Sequence, residues 1–572
     1  VIEKVWIEKQ RADREIVSRL AEEISLLPEL ASLLAQRGVD SFDTAKSFFN
    51  PDLDLLFDPF LMKDMEKAVD RLQEALEAGQ KILVYGDYDV DGTTAVTVVY
   101  SFLKKLGARC EFYIPDRYLE GYGFSFKAVE YAKEQGFDLI ITLDCGVKDG
   151  EKIALSNEQG LDVIVCDHHN PGILPPALAV LDPKREDCNY PDKGLSGCGV
   201  GFKFLQGWCR KYNFPEQTLF EYLDLLTISI GADIVPVMGE NRILAFHGLK
   251  RLQESRRPGI SAMLKQAKYT KPDLTITDVV FILAPRINAA GRIASGAQAV
   301  ELLLTEDEAS AEKISGMVEA NNIERRKRDQ EITKEAMQMV HQDPFYMSSF
   351  ATVVRNEGWH KGVVGIVASR LVEEFYKPAI VLTENDGHLA GSARSIPGID
   401  LYDVLGKCND LLDQFGGHAM AAGLSMKPDY FEKFRQRFDE IIEESLNGTR
   451  PKPYIEYDEE ISLCNIDDKF YRILQRFAPF GPENMKPVFL ARNLMNAGGT
   501  RAVGENLTHL KLSVFSEERR EKKFDGIGFD LGKWAAPILQ NVPVDILFTV
   551  EENVWQGQRS LQLNVKDIRF SA

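Results

Sequence analysis

Apolar positions along the 572-residue chain follow two periods. Ile16, Leu20, Ile24 and Leu27 recur at helical spacing and predict a helical lead-in over residues 1 to about 55. Met65, Ala68, Val69, Leu72 and Leu76 form one apolar helical face that Gly79 ends. The run Lys81-Ile-Leu-Val-Tyr85 then reads as a buried strand, followed by a helix from Thr93 to Leu106. Leu139–Leu143, Asp162–Cys166 and Ala179–Leu181 are further strand-like runs with helical stretches between them. Strands alternating with helices predict an α/β fold with a parallel sheet covered on both faces.

A long helix is expected from about Glu306 to His341, roughly 55 Å at about 1.5 Å per residue. Its centre, Glu324-Arg-Arg-Lys-Arg-Asp329, reads either as a solvated face with pairs such as Glu324–Arg328 or as a basic rail along a groove. A glycine-rich second α/β unit follows, and Asn447-Gly-Thr-Arg-Pro-Lys-Pro453 reads as a linker. Beyond it, Pro487–Asn493, Thr508–Phe515, Phe524–Phe529, Val544–Val550 and Leu561–Ile568 are short strand-like runs, two of them strictly alternating. They predict a small β-barrel of the OB type. The expected plan is a lead-in at 1–55, a first α/β domain at 56–300, a connecting helix at 301–345, a second α/β domain at 346–446 and a barrel at 454–572.

Composition changes this picture little. Apolar residues at 44% and charged residues at 27% are ordinary for a globular protein. No run is long and apolar enough for a membrane helix, and the charged N-terminus lacks a signal-peptide pattern. The sequence opens at Val1 without methionine, which suggests processing or a cloned boundary. Eight scattered cysteines form no Cys-x-x-Cys pair, so a zinc or thioredoxin-like motif is not expected, and reduced thiols point to the cytoplasm. A net charge of −19 argues against coating duplex DNA by general electrostatics. It leaves room for a local basic groove, and it suits a carboxylate-rich site that holds cations.

Four stretches carry the chemistry. Gly86-Asp87-Tyr88-Asp89-Val90-Asp91-Gly92-Thr93-Thr94 lies between a strand and a helix, where open α/β sheets place their sites. Three carboxylates at alternate positions repel one another unless cations bind them. A calcium loop would need Glu at its twelfth position, where Val98 stands. Asp144-Cys-Gly146 and Asp167-His168-His169 also follow strands, and Gly231-Ala-Asp233-Ile-Val-Pro236 follows an apolar helix. One such Asp would be read as a helix cap. Several at the strand ends of one sheet point to a site for manganese, or for magnesium.

In order and spacing, these stretches resemble the four motifs of the DHH phosphoesterase superfamily. The resemblance implies two divalent cations, Mn²⁺ preferred and Mg²⁺ admissible, held by Asp89, Asp91, Asp144, His168 and Asp233, with Asp144 bridging. It further implies that His169 contacts the scissile phosphate and that Asp87 and Asp167 orient ligands from behind. Such a cation pair activates a water for in-line attack on phosphorus and stabilises the leaving oxygen. Many superfamily members carry a histidine where this chain has Tyr85, which implies a first metal that binds more weakly or keeps more water.

Within the superfamily, the resemblance narrows to its single-strand-specific 5′→3′ DNA exonucleases. It rests on Ile114–Gly123, Ala284–Arg292, Gly358–Gly365, Gly391–Ser395, Phe415–Gly423 and the barrel. Arg117, Ser392 and Arg394 supply donors of the kind a terminal phosphate needs, and Tyr122 offers a ring or a hydroxyl. Arg286 and Asn288 are placed to grip the backbone beside the metals, Arg286 with a catalytic part. For Arg286 and Arg292 the alternative is an interdomain salt bridge; for His360 and His418 it is hydrogen bonding within turns. The implied activity is release of 5′-mononucleotides from single-stranded DNA in recombination and repair. A single-strand-binding protein and a helicase are possible partners, no membrane is involved, and the chain acts as a monomer. The competing readings are a phosphodiesterase for short oligonucleotides or cyclic dinucleotides and, behind it, a non-catalytic single-strand-binding scaffold.

Overall fold

The apolar runs of the first half assemble into a five-stranded, fully parallel sheet in a computed structural model that describes residues 3–571 except 118, 255, 294 and 386. The strand order is Arg109–Tyr113, Lys81–Gly86, Leu139–Leu143, Asp162–Cys166, Ala179–Leu181. Arg109–Tyr113 escaped the sequence reading because it is an edge strand whose Arg109 and Glu111 face solvent. The others are buried on both faces. Ile82, Val84, Ile141 and Ile164 enter one core, and Leu83, Tyr85, Ile140 and Val163 enter the other. The connection from Lys81–Gly86 runs out to the edge, and the chain then returns to the strand's other side. The switch point of the sheet therefore lies between Lys81–Gly86 and Leu139–Leu143, where ligand sites collect.

The long helix spans Glu308–Gln342, opened by Asp307, whose carboxylate accepts the Ser310 amide at 2.7 Å. Its charged centre is largely self-paired, Arg328 to Glu324 and Lys327 to Glu331 at 3.9 Å, as a solvated face would be. Asp329 points inward and forms a two-point pair with Arg370, at 3.0 and 2.8 Å, which ties the helix to the second α/β domain. That domain holds a five-stranded mixed sheet in the order Gln414–His418, Ala421–Met426, His388–Arg394, Ala379–Asn385, Thr352–Arg355.

The C-terminal sheet has seven strands, five of which close into a ring. Phe489–Asn496 pairs along its length with Val544–Trp555 and at its far end with His509–Ser516. The last hairpin, Val544–Trp555 and Gln558–Phe570, is longer than expected. Its inward apolar alternation stops where the strands leave the barrel, so the pattern under-reads it.

The first 50 residues are not a lead-in to the first domain. The expected single helical stripe breaks before Pro28 into Arg14–Glu23 and Pro28–Ala35, followed by Phe42–Phe49. Leu20, Leu30, Leu34 and Phe48 join the barrel's core with Phe477, Phe489 and Ile546. Strand Val5–Glu8 pairs in parallel with Tyr454–Tyr457. Among the described residues no helix is long and apolar enough to cross a membrane.

Candidate metal centre and substrate cleft

The turn after strand Lys81–Gly86 is tight enough to require its glycines. A Cβ on Gly86 would lie 2.4 Å from Val96, and one on Gly92 would lie 2.4 Å from the Asp87 carbonyl oxygen. Asp89 caps the helix that follows, accepting the Gly92 amide at 3.0 Å. That helix begins at Val90, so Asp91 sits in its first turn and turns into the interior. There its carboxylate accepts the amides of Gly197 at 2.7 Å and Cys198 at 2.8 Å, the first residues of helix Gly197–Lys211, and the Ser229 hydroxyl at 2.7 Å.

Asp144 adopts a left-handed backbone, φ 59°, a conformation of the kind that persists where surrounding structure enforces it. Gly197 packs closely against this turn: a Cβ on it would lie 2.6 Å from the Asp144 Cβ. His168 follows strand Asp162–Cys166. Its Nε2 stands 3.2 Å from Asp144, 3.5 Å from Asp233 and 3.7 Å from Asp91. Asp233 ends helix Leu223–Ala232, and the β-branched Ile234 beside it is also left-handed, φ 59°. Potential ligand atoms of Asp87, Asp89 and Asp144 lie within 4.8 Å of one another, as do those of Asp91, His168 and Asp233 and those of Asp144, His168 and His169. Asp87, expected behind the ligands, thus has a potential ligand atom in one of these groups, and Asp144 belongs to two of the three.

These residues fit a pair of divalent cations. Both His168 ring nitrogens, Asp87 Oδ1 and Asp144 Oδ1 are buried without a hydrogen-bond partner among the described residues. Burial first, then the charge of neighbouring carboxylates, pushes Asp87, Asp144 and Asp233 above the usual carboxylate range. Burial also holds His168 below its ordinary value, against the pull of Asp91, which favours the neutral ring. Asp167 is the opposite case. Burial would raise it, but the His169 side chain and backbone amides hold it at about 2. Its Oδ1 takes the His168 amide and His169 Nδ1, at 2.7 and 2.8 Å, and its Oδ2 takes the Val147 amide at 3.0 Å. Tyr85 does not face this cluster: its hydroxyl donates to the Gly123 carbonyl at 2.7 Å inside the core on the other side of the sheet.

The second domain closes over the cluster. The Tyr122 hydroxyl lies 2.9 Å from His169 Nε2, and the His418 ring stacks on His169. Arg117 lies over the Tyr88 ring, 5.0 Å from its centroid. Burial, and then the charge of Arg117, lowers Arg394, which places these cations in one field. Arg394 and Ser392 converge on Gly365, where a Cβ would lie 2.9 Å from the guanidinium and 3.3 Å from the hydroxyl. Arg292 donates to the Gly362 carbonyl at 3.0 Å and so joins the two domains. Arg286 is buried and ion-paired at 2.6 Å with Glu319 of the long helix. Asn288 is half-buried on the same helix as Arg292. His360 Nδ1 accepts the Gly362 amide at 3.1 Å within its own turn.

Four contributors went unnoticed in the sequence. Ser196, Gly197 and Ser229 hold Asp91 and Asp144; alternating glycines after Ser196 were the available signal. The Lys184 ammonium adds positive field at Asp233, His168 and His418, and a lone lysine gives no signal.

A parallel sheet whose strand ends converge on a carboxylate–histidine cluster, covered by a second α/β domain, defines a DHH-type metallophosphoesterase. Residues 81–230 match the model of the DHH family N-terminal domain, 347–444 that of the DHHA1 domain and 457–567 that of the RecJ OB domain. The single-stranded-DNA-specific exonuclease RecJ of Bacillus subtilis is 39% identical over 99% of this chain and 71% of its own length. That of Escherichia coli is 33% identical over 99% of both. The crystal structure of RecJ with Mn²⁺ from Thermus thermophilus superposes with a TM-score of 0.85 at 28% identity, covering 99% of this chain and 80% of that one. The chain belongs to the RecJ family.

Proposed function

We propose that the protein is a metal-dependent exonuclease specific for single-stranded DNA, removing 5′-mononucleotides from the 5′ end. One observation carries the reading: His168 and three carboxylates converge within 3.7 Å at the switch point of the sheet, and the second domain brings His418 against the adjoining His169. When bound there, two divalent cations generate a nucleophilic water and neutralise charge on the reacting phosphate. Asp89, Asp91, Asp144, His168 and Asp233, with Asp87 among them, hold the pair. Asp167 fixes the His169 ring, which faces the scissile phosphate with Tyr122 and His418 beside it. Arg117, Ser392 and Arg394 anchor the terminal phosphate, which sets the length released at one nucleotide. Arg286 has its guanidinium committed to Glu319, and Arg292 bridges the domains, so both support the cleft walls. The barrel, with the N-terminal helices in its core, carries the trailing strand through exposed rings and local charge. The reading includes action as a monomer in the cytoplasm in recombination and repair, alongside a single-strand-binding protein and a helicase.

The test uses 5′- and 3′-end-labelled single strands and a labelled blunt duplex with Mn²⁺. The reading expects immediate release of labelled mononucleotide from the 5′-labelled single strand only. Cleavage confined to dinucleotides or cyclic dinucleotides would instead establish the small-substrate phosphodiesterase.

A further inference from the structure

We propose that Ser229, with Ser196 beside it, positions the metal ligand Asp91 through a hydroxyl relay. The proposal rests on the two-metal reading of the cluster. Ser196, Ser229 and Asp91 come from three separate segments and meet in the interior with 1% exposure or less. The Ser229 hydroxyl lies 2.7 Å from Asp91 Oδ1 and 2.6 Å from the Ser196 hydroxyl. Ser196 Oγ in turn lies 3.1 Å from the Gly199 amide, as the N-cap of helix Gly197–Lys211.

A carboxylate only accepts, so Ser229 is the donor in its contact with Asp91. Ser196 Oγ accepts the Gly199 amide and stands in acceptor position to the same Ser229 hydroxyl, so it seats that hydroxyl beside Asp91. Asp91 Oδ1 thereby holds two donors, Ser229 and Cys198, and Oδ2 holds the Gly197 amide while facing His168 and the ligand cluster. The carboxylate cannot rotate without breaking all three bonds. It is aimed before a cation arrives. Groups that orient a ligand in this way typically change metal affinity about 10–100-fold.

The two serines have separable roles. Ser229→Ala removes the donor to Asp91 directly. Ser196→Ala leaves that donor in place and removes the helix cap and the contact that seats the Ser229 hydroxyl. The experiment measures Mn²⁺ binding by titration calorimetry and by the free-Mn²⁺ paramagnetic resonance signal, on the full chain. Wild type, Ser229→Ala, Ser229→Thr, Ser196→Ala, the double variant and Asp144→Asn are compared, each checked by thermal melting. Mn²⁺ affinity should weaken about tenfold or more in Ser229→Ala, recover in part in Ser229→Thr, and weaken less in Ser196→Ala. In the double variant it should match Ser229→Ala, because the relay has no end to act on. A folded Ser229→Ala protein with unchanged Mn²⁺ affinity, beside a defective Asp144→Asn, overturns the relay and leaves the two-metal reading standing. Wild-type Mn²⁺ binding at Asp144→Asn overturns that reading itself. A lowered melting temperature with intact Mn²⁺ affinity in Ser229→Ala assigns the serine to packing and also overturns the proposal.

Discussion

The rings of His169 and His418 lie parallel across the gap between the two α/β domains, 12° apart in plane and 6.4 Å between centroids. Among the described residues, only one of the two is fixed from behind. His169 Nδ1 is held by Asp167 at 2.8 Å, whereas His418 sits on a strand end with exposed neighbours. His169→Ala should lower kcat about 100-fold or more, the usual scale for a side chain acting at the reacting centre, with Mn²⁺ affinity nearly unchanged. His418→Ala should act mainly on KM. Steady-state kinetics on a short 5′-phosphorylated strand, with Mn²⁺ titrations, check both. Loss of Mn²⁺ binding in His169→Ala would make that ring a ligand.

Acid should stabilise the metal-free protein. Asp87, Asp144 and Asp233 are raised by burial first and by neighbouring carboxylates second. Between the unfolded value of about 4 and those raised values, the native state binds more protons than the unfolded chain, so stability falls as pH rises. Asp167 has the opposite sign. Its contribution is present above the unfolded value and is lost only as pH falls through about 2, outside this window. The melting temperature in chelator should therefore be a few degrees higher near pH 5 than near pH 8. Mn²⁺ displaces those protons, so its binding should release protons and tighten as pH rises. Calorimetry in two buffers of different ionisation enthalpy reads the release directly, and an unchanged heat would refute it.

Most of the metal centre was legible because its ligands sit where one-dimensional patterns end. Asp87–Asp91, Asp144 and Asp167–His169 each close an apolar run, so strand ends and carboxylates could be read together. What holds the ligands was not legible. Gly197 and Ser229 reach Asp91 across 106 and 138 residues of chain, a proximity no local spacing encodes. Arg286 shows a different limit. Its motif could be read as catalytic or as half of a salt bridge, and only the fold shows the long helix offering Glu319 at 2.6 Å. The N-terminal helices were read correctly as amphipathic, yet an apolar stripe does not say which core it enters.

Deleting residues 1–50 should accordingly damage the barrel rather than the catalytic domain. Leu20, Leu30 and Phe48 lie in the barrel core, and Phe48 accepts hydrogen bonds from Arg242 of the catalytic domain. Arg242 is buried and also donates to the carbonyls of Arg476, Phe477, Ala478 and Pro479. Arg242→Ala strands these acceptors and should cost about 3 kcal/mol or more at the domain junction. Denaturant melts should show a barrel transition moved to lower denaturant in both variants. Hydrogen exchange should show loss of protection at 489–570 before 81–181. Equal loss in both regions would mean that the domains unfold as one unit.

Gly197→Ala isolates the geometry of Asp144 from its chemistry. The variant keeps every ligand and every charge, and alanine suits a helix better than glycine. Its new methyl would lie 2.6 Å from the Asp144 Cβ and 2.8 Å from Oδ1, inside van der Waals contact. Neither side yields easily. Gly197 is pinned by its amide to Asp91, and Asp144 is pinned by its amide to the Cys166 carbonyl at 2.9 Å. Asp144 must then swing away from His168, and its carboxylate leaves both groups of ligand atoms that it now joins. The expected outcome is a folded protein with a melting temperature within a few degrees of wild type and an exonuclease rate reduced about 100-fold. Mn²⁺ binding should fall in stoichiometry as well as affinity, since Asp144 serves both groups. A fully active Gly197→Ala protein would show that the left-handed turn at Asp144 can relax without loss, and that its tight packing against Gly197 is incidental to catalysis.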